Sequence, residues 1–172
     1  MFILKKKYYL IIENIKDIDL KNIKKRNKFV IIYRNNKNLD EIKNLLKFRK
    51  ICKLKSDGIY LSAYNKSFKS LLLRKTNFKI IGSAHSIKEI SAKVQQGCKK
   101  IIFSKLFKVS YDKYASYLGI TKFNIFCKFY ENLIPLGGIN SDNLRSLNMI
   151  NSEGFALMSE VKKKPAIANR LF

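Results

Sequence analysis

The sequence predicts an α/β protein in which a parallel sheet is covered by helices. Short apolar runs rich in β-branched and aromatic residues alternate along the chain with segments of helical period. These runs are almost continuously apolar, which is typical of parallel strands that are buried on both faces. The chain has 172 residues, enough to bury a sizeable core, and we expect residues 1–172 to form a single domain.

The apolar runs predict seven strands. The first is a short run that begins with two tyrosines, and the second contains no polar residue at all. The later runs are each followed by glycine or by small polar residues, which are typical of strand ends. In chain order, the predicted strands are Tyr8–Ile12, Phe29–Tyr33, Gly58–Leu61, Lys79–Gly82, Ile101–Phe103, Leu133–Leu136 and Gly154–Met158.

Helices are predicted between these strands. The helix from Asn38 carries four apolar residues on one face. Ser86 and Glu89 form a capping box at the start of a later helix, and Gly97 ends that helix. Residues 104–118 are predicted to be a long loop. The remaining predicted helices are Asp19–Asn27, Ser67–Arg74, a segment near Lys122–Tyr130 and Ser141–Ile150.

Two architectures are compatible with this pattern, a (β/α)8 barrel and an open doubly wound sheet. Seven strands are nearer to the barrel, but 172 residues is less than its usual minimum of about 200. In both architectures the ligand binds at the carboxyl ends of the strands. The residues that directly follow the strands are therefore the first candidates for function.

The charge of the chain favours anionic ligands. Lys and Arg number 36 against 12 Asp and Glu, which gives a net charge of +24. Lysines are spread along the whole chain, and the Lys, Asn, Ile, Phe and Tyr that dominate the composition share A/T-rich codons. A low-GC genome therefore explains the charge better than a nucleic-acid-binding stripe does. Because no apolar run is long enough to span a bilayer and the N-terminus has no secretory pattern, we expect a cytoplasmic protein without a membrane partner.

The sequence predicts no metal site built from cysteine or histidine. Cys52, Cys98 and Cys127 are far apart and lack the spacing of metal ligands, so they are interpreted as buried free thiols. His85 is the only histidine of the chain. It precedes a predicted helix, and we interpret it as a capping or core residue.

Residues suited to bind phosphate follow several strands. Arg34 and Lys37 follow the second strand and offer a bidentate clamp and a mobile charge. Gly137 and Gly138 lie between the sixth strand and a predicted helix, so backbone N–H groups and the helix N-terminus can approach an oxyanion. With Ser159 after the seventh strand, they match the recurrent phosphate site of barrels. A tight turn at the glycines and an ordinary solvated arginine are the structural alternatives.

Five segments of the chain occur in the order and approximate spacing of a known family. They are Asp57–Leu61, Ile81–Ser86, Ser104–Phe107, Leu136–Ile139 and Gly154–Ser159. In this order they resemble the thiamine phosphate synthase/TenI family, and the resemblance covers nearly the whole chain. It implies a TIM (β/α)8-type barrel. The barrel would be shortened, with the third strand missing or degenerate, because residues 38–57 have room for little more than one helix.

The resemblance also implies a reaction. Thiamine phosphate synthases condense hydroxymethylpyrimidine diphosphate with thiazole phosphate, with Mg²⁺, to form thiamine phosphate and pyrophosphate. The expected partners are therefore small phosphorylated pyrimidine and thiazole ligands. By position, the resemblance assigns catalytic roles to Arg34, Ser83 and Lys105, diphosphate binding to Arg34, Lys37 and Lys113, and phosphate binding to Gly137, Gly138 and Ser159.

The chain departs from the family pattern where the family binds Mg²⁺. Asn65 stands at the position of one magnesium carboxylate, and the Asp-containing motif of the third strand is absent. No metal ligand is therefore assigned, and Mg²⁺ is expected only because the family implies it. Three functions stay open: a synthase-like transferase, a binding or tautomerase (TenI-like) barrel, and a basic nucleic-acid-binding protein, the last being least favoured. Homo-oligomerisation also stays open, since an open barrel edge can pair with another chain.

Overall fold

The computed structural model describes residues 7–13, 28–34, 58–68, 70, 78–112 and 114–158. Within them, seven strands form a single parallel sheet. The strands are β1 (Lys7–Ile12), β2 (Phe29–Tyr33), β3 (Gly58–Leu61), β4 (Lys79–Ala84), β5 (Lys100–Ser104), β6 (Leu133–Leu136) and β7 (Gly154–Leu157).

The order of the strands is that of a nearly closed barrel. The sheet runs β2-β1-β7-β6-β5-β4-β3, so β7 returns to lie beside β1 and the chain order is followed around a ring. Among the described residues, the opening lies between β2 and β3. The prediction of a TIM-type α/β barrel is confirmed. The predicted missing or degenerate third strand falls between residues 35 and 57, which lie outside the described residues.

Two apolar clusters lie on the two faces of the sheet. One is made only of alternate strand positions, including Tyr9, Ile102 and Ile134, and fills the barrel. The other combines the intervening strand positions with helix residues, among them Ile90 and Phe123. Burial on both faces explains why the strands are almost continuously apolar in sequence.

Two α-helices, α1 (Ile87–Gln95) and α2 (Gly119–Phe129), pack against this sheet. The capping box at α1 is confirmed, since the Ser86 hydroxyl accepts a hydrogen bond from the Glu89 N–H at 3.3 Å. The Glu89 carboxylate reaches one residue further back than expected and accepts from the His85 N–H at 2.6 Å. Helix α2 begins three residues earlier than predicted.

The predicted helix at Ser141–Ile150 is wrong. Residues 141–144 form turns, and a short 3₁₀-helix follows at Arg145–Met149. The Asn140 carboxamide oxygen accepts hydrogen bonds from the N–H groups of Asp142 and Asn143, at 2.9 and 3.2 Å. The predicted helices at residues 19–27 and from residue 38, with most of Ser67–Arg74, lie outside the described residues.

Cys98 and Cys127 form no disulfide among the described residues and are only partly buried, whereas the sequence predicted buried thiols; Cys52 lies outside the described part of the chain. Burial raises the pKa of the Cys98 thiol to about 11, so this side chain stays protonated near neutral pH. No helix within the described ranges is long and apolar enough to cross a membrane. That residues 1–172 form one domain stays a prediction.

Candidate functional site

Polar side chains from five strands meet at the carboxyl end of the barrel. Tyr9, Ile32, Ile81 and Ile102 lie on the interior face of the sheet. Because alternate residues of a strand share a face, the residues two or four positions after them also face inward. These polar residues, together with Tyr60 of the interior cluster, are called the mouth. The mouth residues are Glu13, Arg34, Tyr60, Ser83, His85 and Ser104.

Arg34 and Glu13 form an ion pair in the mouth. The two side chains meet at 2.8 Å and are 30% and 29% exposed. The Arg34 backbone N–H donates to Ile12 O at 2.8 Å, so this position is held beside the end of β1. The Nε atom of Arg34 is buried, and no acceptor for it is found among the described residues.

Tyr60 connects Arg34 with Ser83. Burial raises the pKa of the Tyr60 phenol, and the adjacent Ser83 hydroxyl and Arg34 guanidinium act in the opposite direction. Ser83 is itself buried, at 8% exposure. The structure thus brings together two of the residues that the sequence singled out, through a tyrosine that had no assigned role. Their roles toward a ligand stay predictions.

His85 and Ser104 form a second polar pair of the mouth. The Nδ1 atom of His85 lies 2.7 Å from the Ser104 hydroxyl. β4 and β5 pair Ala84 with Phe103, so the next positions of the two strands lie side by side. The His85 ring is exposed, which excludes a core role, while its backbone N–H belongs to the cap of α1.

Lys105 lies on the loop that follows β5. Its ammonium is 3.7 Å from the Asp112 carboxylate and 5.7 Å from the centre of the Tyr111 ring. Asp112 is 46% exposed, so the ion pair is well solvated and contributes little to stability. Lys105 can therefore exchange this partner for an anionic ligand at small cost.

Gly137 and Gly138 let the β5–α2 loop approach the end of β6. Their φ angles are +101° and +68°. A Cβ on Gly138 would lie 2.4 Å from the Lys108 carbonyl oxygen, and the Phe107 N–H donates to Gly137 O at 3.0 Å. The glycines thus have a structural reason to be present, and phosphate binding there stays a prediction. The helix N-terminus expected behind them is absent, because only turns and the 3₁₀-helix follow.

Three of the sequence-predicted site residues cannot be placed relative to the mouth. Lys37, Lys113 and Ser159 all lie outside the described residues.

The described residues do not fit a magnesium site. No group of three or more His, Cys, Asp or Glu side chains is placed in them to hold a metal ion. The Glu13 carboxylate is engaged by Arg34. At the family's carboxylate position, the Asn65 carbonyl oxygen accepts from buried Lys93 at 2.8 Å, and its side-chain oxygen accepts from the Ser67 N–H. Asn65 therefore binds its own chain, and no reaction step is assigned to a metal here.

Sequence reasoning missed Glu13, Tyr60 and Ser104 as site residues. All three stand at even spacing from interior positions of their strands, so the alternation of each strand already indicated their direction. What the sequence did not contain was the pairing of neighbouring strands, which decides that Glu13 meets Arg34 and that Ser104 meets His85.

No family model matches the chain, and no curated protein is similar to it in sequence. Among solved structures, the chain is similar to a thiamine phosphate pyrophosphorylase from Pyrococcus furiosus, with a TM-score of 0.64 and 15% sequence identity. The match covers 98% of this chain and 93% of that chain. At this identity, the similarity shows a shared barrel fold.

Proposed function

We propose that the protein is a thiamine phosphate synthase-like transferase, a distant member of the thiamine phosphate synthase/TenI family. Three independent features support this proposal. Five sequence segments resemble the family in order, the barrel is similar to that of a thiamine phosphate pyrophosphorylase, and the mouth collects cationic and hydroxyl side chains. The observation that carries most weight is Arg34, a partly buried guanidinium that Glu13 and Tyr60 hold in the mouth.

In the proposed reaction, the C–O bond of hydroxymethylpyrimidine diphosphate breaks and its electron pair leaves with the diphosphate. The resulting pyrimidine cation is captured by the ring nitrogen of the thiazole phosphate. This chemistry needs preorganised positive charge at the departing diphosphate more than it needs a strong base. Arg34 would bind the diphosphate, supported by Lys105, and by Lys37 and Lys113 from outside the described residues.

Tyr60 and Ser83 would hold the Arg34 guanidinium and contact the pyrimidine side of the substrate. Ser83 is buried and Tyr60 partly buried beside Arg34, so their hydroxyl groups are held at fixed positions. Gly137 and Gly138, with Ser159, would hold the phosphate of the thiazole. In this arrangement the two anionic groups bind on different sides of the mouth.

Glu13 would weaken diphosphate binding at Arg34. The carboxylate and an incoming diphosphate compete for the same guanidinium, because Glu13 already occupies one edge of Arg34 at 2.8 Å. We therefore expect Glu13→Gln to tighten pyrophosphate binding about threefold to tenfold. Arg34→Ala should weaken it about tenfold to a hundredfold, through loss of bidentate charge-assisted bonds.

The test combines turnover with calorimetry. Purified protein receives hydroxymethylpyrimidine diphosphate, thiazole phosphate and Mg²⁺, and thiamine phosphate is measured as thiochrome fluorescence. Arg34→Ala alone leaves an uncompensated Glu13 in the mouth, so the double variant Arg34→Ala/Glu13→Gln is the matched control that isolates the guanidinium. Product from the wild type that is lost in both variants supports the proposal. Equal product from wild type and double variant contradicts the assignment of Arg34.

A phosphate-ligand-binding barrel without synthase turnover is the second candidate. It is favoured by the lack, among the described residues, of carboxylates arranged for Mg²⁺. Pyrophosphate and thiazole phosphate binding in calorimetry, together with no thiochrome product from folded protein, would select it over the transferase.

A further inference from the structure

His85 stands out because the transferase proposal gives it no task. It is the only histidine among the 172 residues, and its ring is exposed at the mouth. Histidine is the side chain whose ordinary pKa lies nearest to neutral pH, so an exposed imidazole next to a substrate is suited to proton transfer.

The contacts of His85 leave one ring nitrogen for a ligand. Nδ1 lies 2.7 Å from the Ser104 hydroxyl, and the His85 backbone N–H is held by the Glu89 carboxylate at 2.6 Å. Nε2 forms no hydrogen bond with any described residue. When one ring nitrogen is engaged, the partner fixes the tautomer and the direction of the other. In the imidazolium both ring nitrogens carry a proton, so Nδ1–H donates to the Ser104 hydroxyl and Nε2–H is left for a ligand.

Ser104 is better placed as the positioning residue than as a nucleophile. A serine nucleophile needs a base that is itself oriented by a third group at its other ring nitrogen. Here that nitrogen, Nε2, has no described partner, so the pair orients the imidazole rather than activating the serine. The part of the pair that can act on a ligand is therefore the Nε2 of His85.

We propose that His85, oriented by Ser104, is the general acid that protonates the departing diphosphate; this inference rests on the proposed transferase function. As the C–O bond breaks, its electron pair goes to the bridging oxygen, which receives the Nε2 proton of the His85 imidazolium. The products are a protonated diphosphate, the pyrimidine cation and a neutral imidazole. The imidazole regains its proton from solvent after the diphosphate leaves.

The charged groups around His85 favour an imidazolium once a diphosphate is bound. Glu89 of α1 contributes a carboxylate at the His85 backbone. Lys105, which follows Ser104, opposes a second positive charge, but Asp112 is paired with it. Glu13 after β1 and Arg34 after β2 form a pair of zero net charge in the mouth. An incoming diphosphate is therefore the dominant anion beside the imidazole.

The binding test uses pyrophosphate as the probe and the unique histidine as the reporter. Imidazole resonances of ¹⁵N-labelled protein belong to His85 alone. We expect pyrophosphate to change the ¹⁵N resonances of this ring, because the anion binds beside it. Calorimetry at pH 7 in PIPES and in Tris should show net proton uptake on binding, and His85→Asn should abolish that uptake.

The kinetic test distinguishes a role of His85 in proton transfer from a purely structural role. We expect His85→Asn to lower kcat about a hundredfold, at the weak end of general-acid effects because diphosphate is already a good leaving group. Ser104→Ala should lower kcat about tenfold and remove the preference of the neutral ring for the Nδ1–H tautomer, whereas Ser104→Thr should restore both. In the wild type, kcat should fall as the pH rises because the general acid loses its proton, and this fall should be absent from His85→Asn.

The outcomes separate this inference from the function on which it rests. Turnover and pyrophosphate binding that are unchanged in His85→Asn would overturn the role of His85 and leave the transferase standing. Failure of the wild type to bind pyrophosphate would overturn both. Binding with His85-dependent proton uptake, together with the loss of kcat, supports the inference.

Discussion

At Gly138, the energetic cost of the backbone conformation can be separated experimentally from the cost of steric overlap. Its φ of +68° disfavours any side chain, and a Cβ there would lie 2.4 Å from the Lys108 carbonyl oxygen. Gly119 has nearly the same φ, +71°, with nothing within 4 Å of such a Cβ. We expect Gly119→Ala to cost about 1 kcal/mol of unfolding free energy for the backbone conformation alone.

Gly138→Ala should cost at least about 2 kcal/mol more than Gly119→Ala, because the loop after β5 must also move. Urea unfolding of both variants beside the wild type measures the difference. Equal losses of unfolding free energy would mean that the loop after β5 moves at no measurable cost. The same geometry shows that Gly138→Asp is a poor test of an anion site, since any side chain at this position displaces the loop before its charge can act.

The position of a single residue was predictable from the sequence where it depended only on the alternation of its own strand. Arg34 and Ser83 follow or end their strands at interior spacing, and the structure puts both in the mouth. The ion pair with Glu13 was not predictable, because it depends on the register between β1 and β2. That register pairs Ile12 with Tyr33, which brings the next residue of each strand together. Pairing across a sheet is non-local information that one sequence pattern does not contain.

At the scale of elements, all seven strands and the capped helix were predicted, whereas the segment after β6 was not. Ser86 and Glu89 give α1 a complete local start signal, so no tertiary contact is needed to place it. After β6, the Asn140 side chain accepts from the N–H groups of Asp142 and Asn143 as a helix N-cap does, yet only turns and a 3₁₀-helix follow. The Asn143 carboxamide then donates to Gly138 O at 2.7 Å and fixes the turn onto the β6 end. The same asparagine bonds occur at helix caps and in isolated turns, and the sequence does not distinguish the two.

The amino ends of β1, β5 and β7 are joined by Glu153, which precedes β7. Its carboxylate accepts a hydrogen bond from the Tyr9 phenol and lies 3.0 Å from the Lys100 ammonium. Burial disfavours the carboxylate, but the bonds from Tyr9 and Lys100 prevail and lower the pKa of Glu153. A lowered pKa stabilises the folded state above the unfolded value of about 4.3, and this stability is lost as the pH falls through the folded pKa.

Tyr9→Phe should therefore destabilise the protein by about 1 kcal/mol at pH 7, where the hydrogen bond to the ionised Glu153 is present. The difference from the wild type should shrink below about pH 4, as Glu153 becomes protonated. Tyr117→Phe, which changes an exposed tyrosine, is the matched control and should have no effect at either pH. Urea unfolding from pH 7 to pH 3.5 measures both variants. A Tyr9→Phe difference that does not change with pH would show that Glu153 is not the partner that matters.

At the scale of the whole molecule, the cyclic order of the strands explains why the sequence alone left two architectures open. Strand number and burial are the same in a barrel and in an open sheet, and only the pairing of β7 with β1 distinguishes them. The family resemblance implied a barrel, whereas the periodicity of the sequence could not distinguish a barrel from an open sheet. The net charge of +24 is the other property of the whole chain, and it has two separable consequences: repulsion within the fold, and attraction of anions to the mouth.

These two consequences predict different responses to salt. Raising NaCl from 20 to 200 mM should raise Tm by a few degrees in every variant, because screening relieves the repulsion among the excess positive charges. Pyrophosphate at matched ionic strength should add a further increase of about 5 °C when its concentration is a hundredfold above Kd, since a ligand that binds only the folded state stabilises it. Arg34→Ala/Glu13→Gln removes one charge of each sign, so it should keep the chloride response and lose most of the pyrophosphate increment. An equal increase in Tm with pyrophosphate in that variant would mean that the anion responds only to the overall charge of the molecule. It would contradict a specific anion site in the mouth.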